Sequence, residues 1–225
     1  MAGSVAATPP TGSGKDAAPC IGVLALQGGF GAHRSALERL GARTVEVRTR
    51  DELHNLDGLV IPGGESTTMN IQLAAGDLEQ PIREMVSAGR PVLGTCAGLI
   101  MLDRVHLGLM DIAARRNAFG RQVRSFEQDV QVRGLGDEPL RAVFIRAPWI
   151  EQAGDDVEIL AEVDGHPVVA RERHILVAAF HPELTDDLRL HALFLAMVGE
   201  KSRSSVSGRA GLQQDGEPVS RSSAA

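Results

Sequence analysis

Apolar runs alternate with glycine-terminated helical patterns through the first hundred residues. The continuous apolar run Ile21–Leu26 is typical of a strand buried on both faces, and the helical pattern after it ends at Gly41. Further strands are predicted and lie at Thr44–Val47, Leu59–Ile61 and Pro91–Leu93. One more helix is expected after Ser66, with Ser66 as its N-cap, and another over Pro81–Ala88. This alternation predicts an α/β fold whose parallel sheet is covered by helices on both faces.

The second half of the chain is richer in strands. Five closely spaced segments are strand-like: Val130–Val132, Ala142–Ile145, Val157–Leu160, Val168–Ala170 and Ile175–Phe180. Their spacing predicts an antiparallel or mixed extension of the sheet. An amphipathic pattern over Asp186–Val198 predicts a closing helix with Thr185 as its N-cap.

Both ends of the chain differ in composition from the middle. Residues 1–19 are mostly small and polar, and residues 201–225 are rich in Ser, Gly and charged side chains, so both are predicted to be disordered tails. The folded domain is expected at residues 20–200. Residues 1–19 also lack the apolar segment of a secretory signal.

Composition and charge narrow the function classes. Hydrophobic residues make up 43% and charged residues 23%, an ordinary globular balance, and the net charge of −6 argues against nucleic-acid binding. No run reaches the ~18 apolar residues of a membrane span. The presence of only two cysteines, Cys20 and Cys96, argues against a disulfide framework and fits a reducing compartment such as the cytoplasm. A bond between the two stays open at this point, and it would disable the nucleophile proposed below. No cofactor is expected, and no metal, because no ligand set stands at metal-binding spacing.

The candidate nucleophile is Cys96, at the centre of the sequence Gly94–Gly98 (GTCAG). The pattern matches a nucleophile elbow, in which a strand turns sharply into a helix and small neighbours make room for a strained nucleophile. The start of a helix favours a thiolate, because free backbone N–H groups and the helix dipole face it. The elbow therefore predicts a cysteine enzyme that acts on an acyl group.

The candidate base is His181, which directly follows the predicted strand Ile175–Phe180. Ligands of open α/β sheets bind outside the carboxyl ends of the strands, where His181 is expected. In an extended segment Glu183 points the same way and orients the imidazole, which completes a triad with Cys96. The other six histidines are predicted to be surface or packing residues; they are His33, His54, His106, His166, His174 and His191.

A glycine-rich loop supplies the third element of the predicted site. Pro62–Ser66 (PGGES) follows a strand, and the N–H groups of Gly64 and Ala97 are expected to form an oxyanion hole. Taken alone, Pro-Gly-Gly is more typical of a plain turn. A second glycine-rich stretch, Gly28–Gly31, lacks dinucleotide-loop spacing and is interpreted as a tight turn.

Several motifs together resemble class I glutamine amidotransferases, and within them the glutaminase subunits of pyridoxal 5′-phosphate synthase. The motifs span residues 21–199 in family order: GVLALQG (Gly22–Gly28), PGGESTTM (Pro62–Met69), GTCAGLI (Gly94–Ile100), RNAFGRQ (Arg116–Gln122), SFE (Ser125–Glu127), FIRAP (Phe144–Pro148) and AFHPELT (Ala179–Thr185). The resemblance implies a three-layer α/β fold. It also implies hydrolysis of L-glutamine to glutamate and ammonia, which passes to a (β/α)8-barrel synthase subunit.

The resemblance also implies roles for individual residues. Cys96 matches the nucleophile, His181 the general base and Glu183 its orienting carboxylate. The residues that match glutamine-binding positions are Gly64, Glu65, Ser66, Arg116, Ile145 and Arg146. Gln27 matches the segment used at the synthase interface, where partner binding helps to order the oxyanion hole.

Three alternatives stay open. The chain could serve another synthase as its glutaminase, it could be a non-catalytic regulatory subunit of the same fold, or it could be a cysteine hydrolase that acts alone. One departure from the family pattern bears on them. The connection Leu102–Gly108, between the helix after Cys96 and RNAFGRQ, is shorter than in most members.

Overall fold

The computed structural model describes residues 18–119 and 125–210, and their side chains as far as residue 201. The eleven strands of the described residues are β1 Cys20–Leu24, β2 Arg43–Val47, β3 Gly58–Ile61, β4 Val92–Thr95, β5 Ile112–Arg115, β6 Ser125–Val130, β7 Leu140–Ile145, β8 Trp149–Ala153, β9 Glu158–Val163, β10 His166–Glu172 and β11 Ile175–Ala178. The α-helices are α1 Phe30–Arg39, α2 Ser66–Ala75, α3 Glu79–Ser87, α4 Ala97–Leu102 and α5 Arg189–Ala210. Short 3₁₀ turns occupy Arg50–Leu53 and Pro182–Leu184.

A seven-stranded sheet forms the centre of the fold, in the order β2-β1-β3-β4-β11-β10-β9. The first five strands in this order are parallel, and β10 and β9 extend the sheet antiparallel. Strands β3, β4 and β11 are buried at every position, as expected for strands covered on both faces. The predicted fold class, a mostly parallel sheet with an antiparallel extension, is confirmed.

The order of the strands reverses next to β1. The chain moves from β1 through α1 to β2 at the sheet edge, and it later moves from β3 through α2 and α3 to β4 on the other side. Right-handed crossovers in opposite directions place their helices on opposite faces, and α1 indeed contacts α5 while α2 contacts α4. The reversal leaves a crevice at the carboxyl ends of β1 and β3, where α/β proteins bind ligands.

Two small antiparallel sheets add to this core. One pairs β5 with β8, and the other pairs β6 with β7. The sequence pattern did not indicate β5 or β8, and it placed β6 too late, at Val130–Val132. Residues 125–130 alternate in burial and carry charged or amide side chains, and residues 112–115 are short and only partly buried, so neither segment shows a long apolar run.

Two predicted helix starts are wrong. The N-cap of α2 is Glu65, whose carboxylate accepts hydrogen bonds from the backbone N–H groups of Thr67 and Thr68, and Ser66 is the first helical residue. The closing helix begins at Arg189 instead of Asp186, because Thr185 and Asp187 accept bonds within the preceding turn. It continues to Ala210, so residues 201–210 of the expected C-terminal tail are helical. Residues 1–17 and 211–225 of the expected tails lie outside the described residues.

Candidate active site

Cys96 stands on a sharp turn between β4 and α4. Its backbone has φ 50° and ψ −108°, a left-handed conformation that side chains other than glycine adopt at a cost of about 1–3 kcal/mol. The Cys96 N–H donates to the carbonyl of Ala178 on β11 (2.8 Å), which holds the turn against the sheet. A Cβ atom on Gly98 would overlap the carbonyl oxygen of Ile61, so only glycine lets α4 approach β3 this closely.

His181 and Glu183 meet next to this elbow. The Nδ1 atom of His181 lies 2.8 Å from Oε1 of Glu183, and the His181 N–H donates to the carbonyl of Val143 (2.9 Å). The strand before His181 ends at Ala178, and Glu183 lies in the 3₁₀ turn Pro182–Leu184. The expectation of an extended His-Pro-Glu segment is therefore wrong, although the two side chains do meet.

The electrostatics of this pair favour a charged imidazole. Burial disfavours the imidazolium, but hydrogen bonds to the Cys96 sulfur and to Glu183 outweigh it and raise the pKa of His181 to about 10. Burial also opposes the Glu183 carboxylate, whereas hydrogen bonds from His181 and His33 hold the pKa of Glu183 well below its ordinary value. At neutral pH, the site therefore holds an imidazolium between a sulfur atom and a carboxylate.

Two loops close over the nucleophile at the end of the sheet. Gly63 in the PGGES loop packs directly against Cys96, because a Cβ atom on Gly63 would be 3.2 Å from the Cys96 Cβ. Gly28 has φ +78°, and a Cβ atom on it would overlap the carbonyl oxygen of Gly63. The side-chain oxygen of Gln27 accepts from the Glu65 N–H (3.0 Å) and links the two loops. Gly28 therefore packs against the PGGES loop, whereas Phe30 and Gly31 of the expected tight turn at Gly28–Gly31 already belong to α1.

A cleft of about 270 Å³ opens above Cys96. Its size suits a small metabolite better than a drug-sized ligand. Nine of the eleven predicted site residues line it: Gly64, Glu65, Ser66, Cys96, Ala97, Arg116, Ile145, Arg146 and His181. The other two are outside the lining. Glu183 is buried behind His181, to which it is hydrogen-bonded. The side chain of Gln27 bonds the Glu65 N–H of the PGGES loop.

Polar groups suited to an amino acid surround this cleft. The Arg116 guanidinium donates to the Thr67 hydroxyl (3.3 Å) from the rim, and a guanidinium is a good partner for a carboxylate. Hydrogen bonds from the backbone N–H groups of Thr67 and Thr68 lower the pKa of Glu65 to about 2, so Glu65 is charged. The carbonyl oxygen of Ile145 lies 3.9 Å from the Cys96 sulfur, and Arg146 next to it has φ 45°.

Both residues of the expected oxyanion hole, Gly64 and Ala97, line the cleft beside Cys96. Ala97 is the first residue of α4, and a first helical N–H has no acceptor within its own helix. The neighbouring loop contributes Gly64, which lines the same cleft. The arrangement can therefore hold a carbonyl group over Cys96 with donors at its oxygen and an imidazolium at its leaving group.

Sequence reasoning missed three residues behind Glu183. They are His33, Thr95 and His191, and all are fully buried. His33 was predicted to be a surface or packing histidine, yet its Nε2 atom lies 3.2 Å from Oε2 of Glu183. Its position on α1, three and four residues before the apolar Ala36 and Leu37, indicates the buried face. Periodicity alone could not name its partners, which lie far away in the chain.

Comparison with protein families gives a single description for the domain. The model of the SNO glutamine amidotransferase family matches residues 23–200. Two similar curated proteins are both named pyridoxal 5′-phosphate synthase subunit PdxT. The protein from Carboxydothermus hydrogenoformans is 50% identical over 185 residues, which cover 79% of this chain and 97% of the relative. The protein from Mycobacteroides abscessus is 52% identical over 189 residues, with 80% and 97% covered.

Solved structures agree with this similarity. A crystal structure described as a glutamine amidotransferase is 44% identical and superposes with a TM-score of 0.75, covering 80% of this chain and 98% of that one. A more distant chain, from the structure of PurLQS from Thermotoga maritima, is 16% identical with a TM-score of 0.63, covering 80% and 99%. The second similarity concerns the fold alone.

Proposed function

The chain belongs to the SNO glutamine amidotransferase family, and from that premise we propose that it is the glutaminase subunit of pyridoxal 5′-phosphate synthase. In this role it hydrolyses L-glutamine to L-glutamate and ammonia, and it delivers the ammonia to a barrel-shaped synthase subunit. The observation that carries the proposal is that Cys96 and His181 line a small cleft, with Glu183 hydrogen-bonded to the far side of the His181 ring. The assignment to pyridoxal phosphate synthesis is supported by the names of the two relatives that are 50% and 52% identical.

The first half of the reaction forms an acyl-enzyme. The Cys96 thiolate attacks the side-chain amide carbon of glutamine, and a C–S bond forms as the carbonyl oxygen takes up negative charge. The N–H groups of Gly64 and Ala97 donate to that oxygen, and one such donor is worth about 3–4 kcal/mol in the transition state. The His181 imidazolium then gives its proton to the amide nitrogen, the C–N bond breaks and ammonia leaves.

The second half releases glutamate. His181 is now neutral and takes a proton from a water molecule, whose oxygen attacks the γ-glutamyl thioester. The C–S bond breaks, glutamate leaves, and the proton held by His181 restores the imidazolium beside the thiolate. Glu183 keeps the ring oriented through both halves, because its carboxylate accepts from Nδ1 of His181.

Substrate recognition is assigned to the rim of the cleft. We assign the α-carboxylate of glutamine to Arg116, since a guanidinium donates two parallel hydrogen bonds to a carboxylate. The α-ammonium group is assigned to the charged Glu65, and the chain of the substrate to the backbone of Ser66, Ile145 and Arg146 along the wall. Gln27 is assigned to the partner interface, because its side chain holds the loop that carries Gly64.

The proposed setting is the cytoplasm, where a reducing pool keeps a catalytic thiol free. Both cysteines are free in the structure. Among the described residues, no helix is both long and apolar enough to cross a membrane.

A glutamine-versus-ammonium assay tests the proposal. The chain is assembled with its barrel synthase, and pyridoxal phosphate formation is measured with either nitrogen source. We expect Cys96→Ala to abolish synthesis from glutamine and to leave synthesis from ammonium salts intact. If no glutamine-dependent product forms with the wild-type chain, the pathway assignment is wrong. Strong glutamate release by the chain alone would favour a hydrolase that acts without a partner.

A further inference from the structure

A buried polar cluster of His33, Thr95 and His191 lies behind Glu183, on the side away from His181. The Nε2 atom of His33 lies 3.0 Å from the Thr95 hydroxyl and 3.2 Å from Oε2 of Glu183. The Nδ1 atom of His33 lies 2.9 Å from Nε2 of His191. Both histidines and Thr95 are fully buried. The mechanism derived above uses none of these three residues.

The chemistry of the neighbours fixes the hydrogen on His33. A carboxylate can only accept hydrogen bonds, so a lone pair on Nε2 facing Glu183 would be repelled. The Nε2 atom therefore carries a hydrogen, which lies between the Thr95 hydroxyl and the Glu183 carboxylate. Burial is the main cause that lowers the pKa of His191 to about 3, and the neighbouring His33 lowers it further, so His191 is neutral.

The two oxygens of Glu183 thus face different histidines. Oε1 accepts from His181 at 2.8 Å, and Oε2 faces His33 at 3.2 Å. Oε2 makes no hydrogen bond of regular geometry with any described residue, so the 3.2 Å ion-pair contact with His33 is what faces its charge, and Glu183 is only 9% exposed. Without His33, this oxygen would be buried with nothing to balance its charge, and the carboxylate would be free to turn.

His33 also reaches the strand that carries the nucleophile. Thr95 is the last residue of β4 and directly precedes Cys96. One ring nitrogen on α1 therefore contacts both the residue before the nucleophile and the carboxylate that orients its base. His191, on α5, holds the other side of the ring.

We propose that His33 is a positioning residue for the glutaminase reaction: its Nε2 hydrogen holds the Glu183 carboxylate against the end of β4, and so keeps His181 aimed at Cys96. The proposal rests on the proposed function, since it concerns the same hydrolysis. It assigns His33 no contact with substrate. His191 supports it by fixing the orientation of the His33 ring.

Two amide substitutions separate the two ring nitrogens of His33. In His33→Gln the amide nitrogen occupies the position of Nε2, so the donor toward Thr95 and Glu183 is kept. In His33→Asn the amide occupies the position of Nδ1, so only the contact with His191 is kept. His33→Leu removes both. His174→Leu is the matched control, because His174 bonds the Val86 carbonyl at the opposite end of β11 from the site.

Glutamate release is measured for each variant assembled with the synthase subunit, as separate kcat and KM values, with thermal unfolding as the check on folding. We expect kcat to fall about ten- to a hundredfold in His33→Asn and His33→Leu, because small misplacements of reacting groups have effects of this size. KM should stay within about twofold, and His33→Gln should stay within about threefold of wild type in kcat, since the donor that fixes the geometry is retained. His174→Leu should match wild type in both constants.

The outcomes separate cleanly. A wild-type assembly that releases no glutamate contradicts the proposed function and not this inference. With an active wild type, equal losses in His33→Gln and His33→Asn would overturn the inference, because the loss would then follow the ring and not its Nε2 donor. Wild-type kcat in a folded His33→Asn would overturn it as well. If His33→Leu does not fold, the Gln and Asn pair still decides.

Discussion

At the scale of single residues, the site works by putting charge where the reaction needs it. His181 is held as an imidazolium by the Cys96 sulfur on one side and by Glu183 on the other. A protonated base is the right starting state, because the first proton transfer goes to the departing ammonia. The left-handed backbone of Cys96 stores strain at the same point, in a conformation that aims the sulfur into the cleft.

Replacing the orienting carboxylate tests this balance of charge. Glu183→Gln removes a negative charge beside His181, so the pKa of His181 falls and the imidazolium is lost at lower pH. We expect the alkaline limit of kcat for glutamate release to move to lower pH, and kcat itself to fall about tenfold or more. Asp186→Asn is the control, because Asp186 is an exposed carboxylate that forms an ion pair with Arg39 on the surface. An unchanged pH profile in Glu183→Gln would contradict the role of Glu183.

These residues could be predicted where their chemistry and their local spacing coincide. Cys96 and the pair His181 and Glu183 stand out because a nucleophile between glycines and a His-Pro-Glu step are visible within a few positions. His33 was missed because its partners Thr95 and Glu183 are brought to it only by the folded sheet. The one sequence signal for His33 is its position on the apolar face of α1, which indicates that its side chain is buried.

At the scale of elements, the elbow depends on how closely α4 lies against β3. Gly98 is the contact point, and a side chain there has no room. After α4 the short connection of residues 102–108 forms a tight turn around the buried carboxylate of Asp103. That carboxylate accepts from the N–H groups of Val105 and His106 (2.9 and 3.1 Å). The connection is therefore an ordered turn, and β5 follows it at Ile112.

A matched pair of glycine substitutions tests the packing of α4. Gly98 and Gly31 are both helical, but a Cβ atom on Gly31 meets nothing within 4 Å. We expect Gly98→Ala to lower the free energy of unfolding by about 1–3 kcal/mol, because the helix must move away from Ile61. Gly31→Ala should raise it by about 0.5–1 kcal/mol, since alanine costs less chain entropy in a helix. Denaturant titration measures both. Equal effects would show that the close approach does not matter.

Boundaries of elements were the weakest part of the sequence prediction. The buried strands β1, β3 and β4 were located within one or two residues, because their apolar runs are continuous. The start of α2 was misplaced by one residue because Ser is a favoured N-cap and Glu is not, whereas in the structure the Glu65 carboxylate reaches the N–H groups of Thr67 and Thr68. The strands β5 and β8 were missed, since each is stabilised by its partner more than by its own pattern.

At the scale of the whole molecule, the reversal of strand order beside β1 assembles the site. The loops after β1 and β3, the elbow after β4 and the turn after β11 all come from carboxyl ends of neighbouring parallel strands. The alternation of strands and helices in the sequence predicted this parallel sheet. The place of the site, at the carboxyl ends of the strands, could be predicted from the sheet. The antiparallel strands β10 and β9 extend the sheet beyond β11. They form the sheet edge that lies farther from the crevice between β1 and β3.

The same charges couple the site to the stability of the fold. The pKa of His181 is about 10 in the folded chain and 6.5 in its reference state, so folding favours the protonated form. This stabilisation is complete below about pH 6.5 and is lost as the pH rises toward 10. Its size is on the order of 5 kcal/mol, since one pKa unit is worth about 1.4 kcal/mol. Wild type should therefore lose more free energy of unfolding between pH 6.5 and 10 than His181→Gln does. Parallel curves for the two proteins would contradict the charged state assigned to His181.

The most direct test of the central claim is the initial rate of glutamate release from L-glutamine by the chain assembled with the synthase subunit, for wild type and Cys96→Ala. Thermal unfolding and co-purification of the two subunits establish that the variant is folded and assembled. Loss of the nucleophile of a triad removes nearly all covalent catalysis, so we expect the rate to fall about a thousandfold or more. Equal rates for the two proteins would show that Cys96 is not the nucleophile.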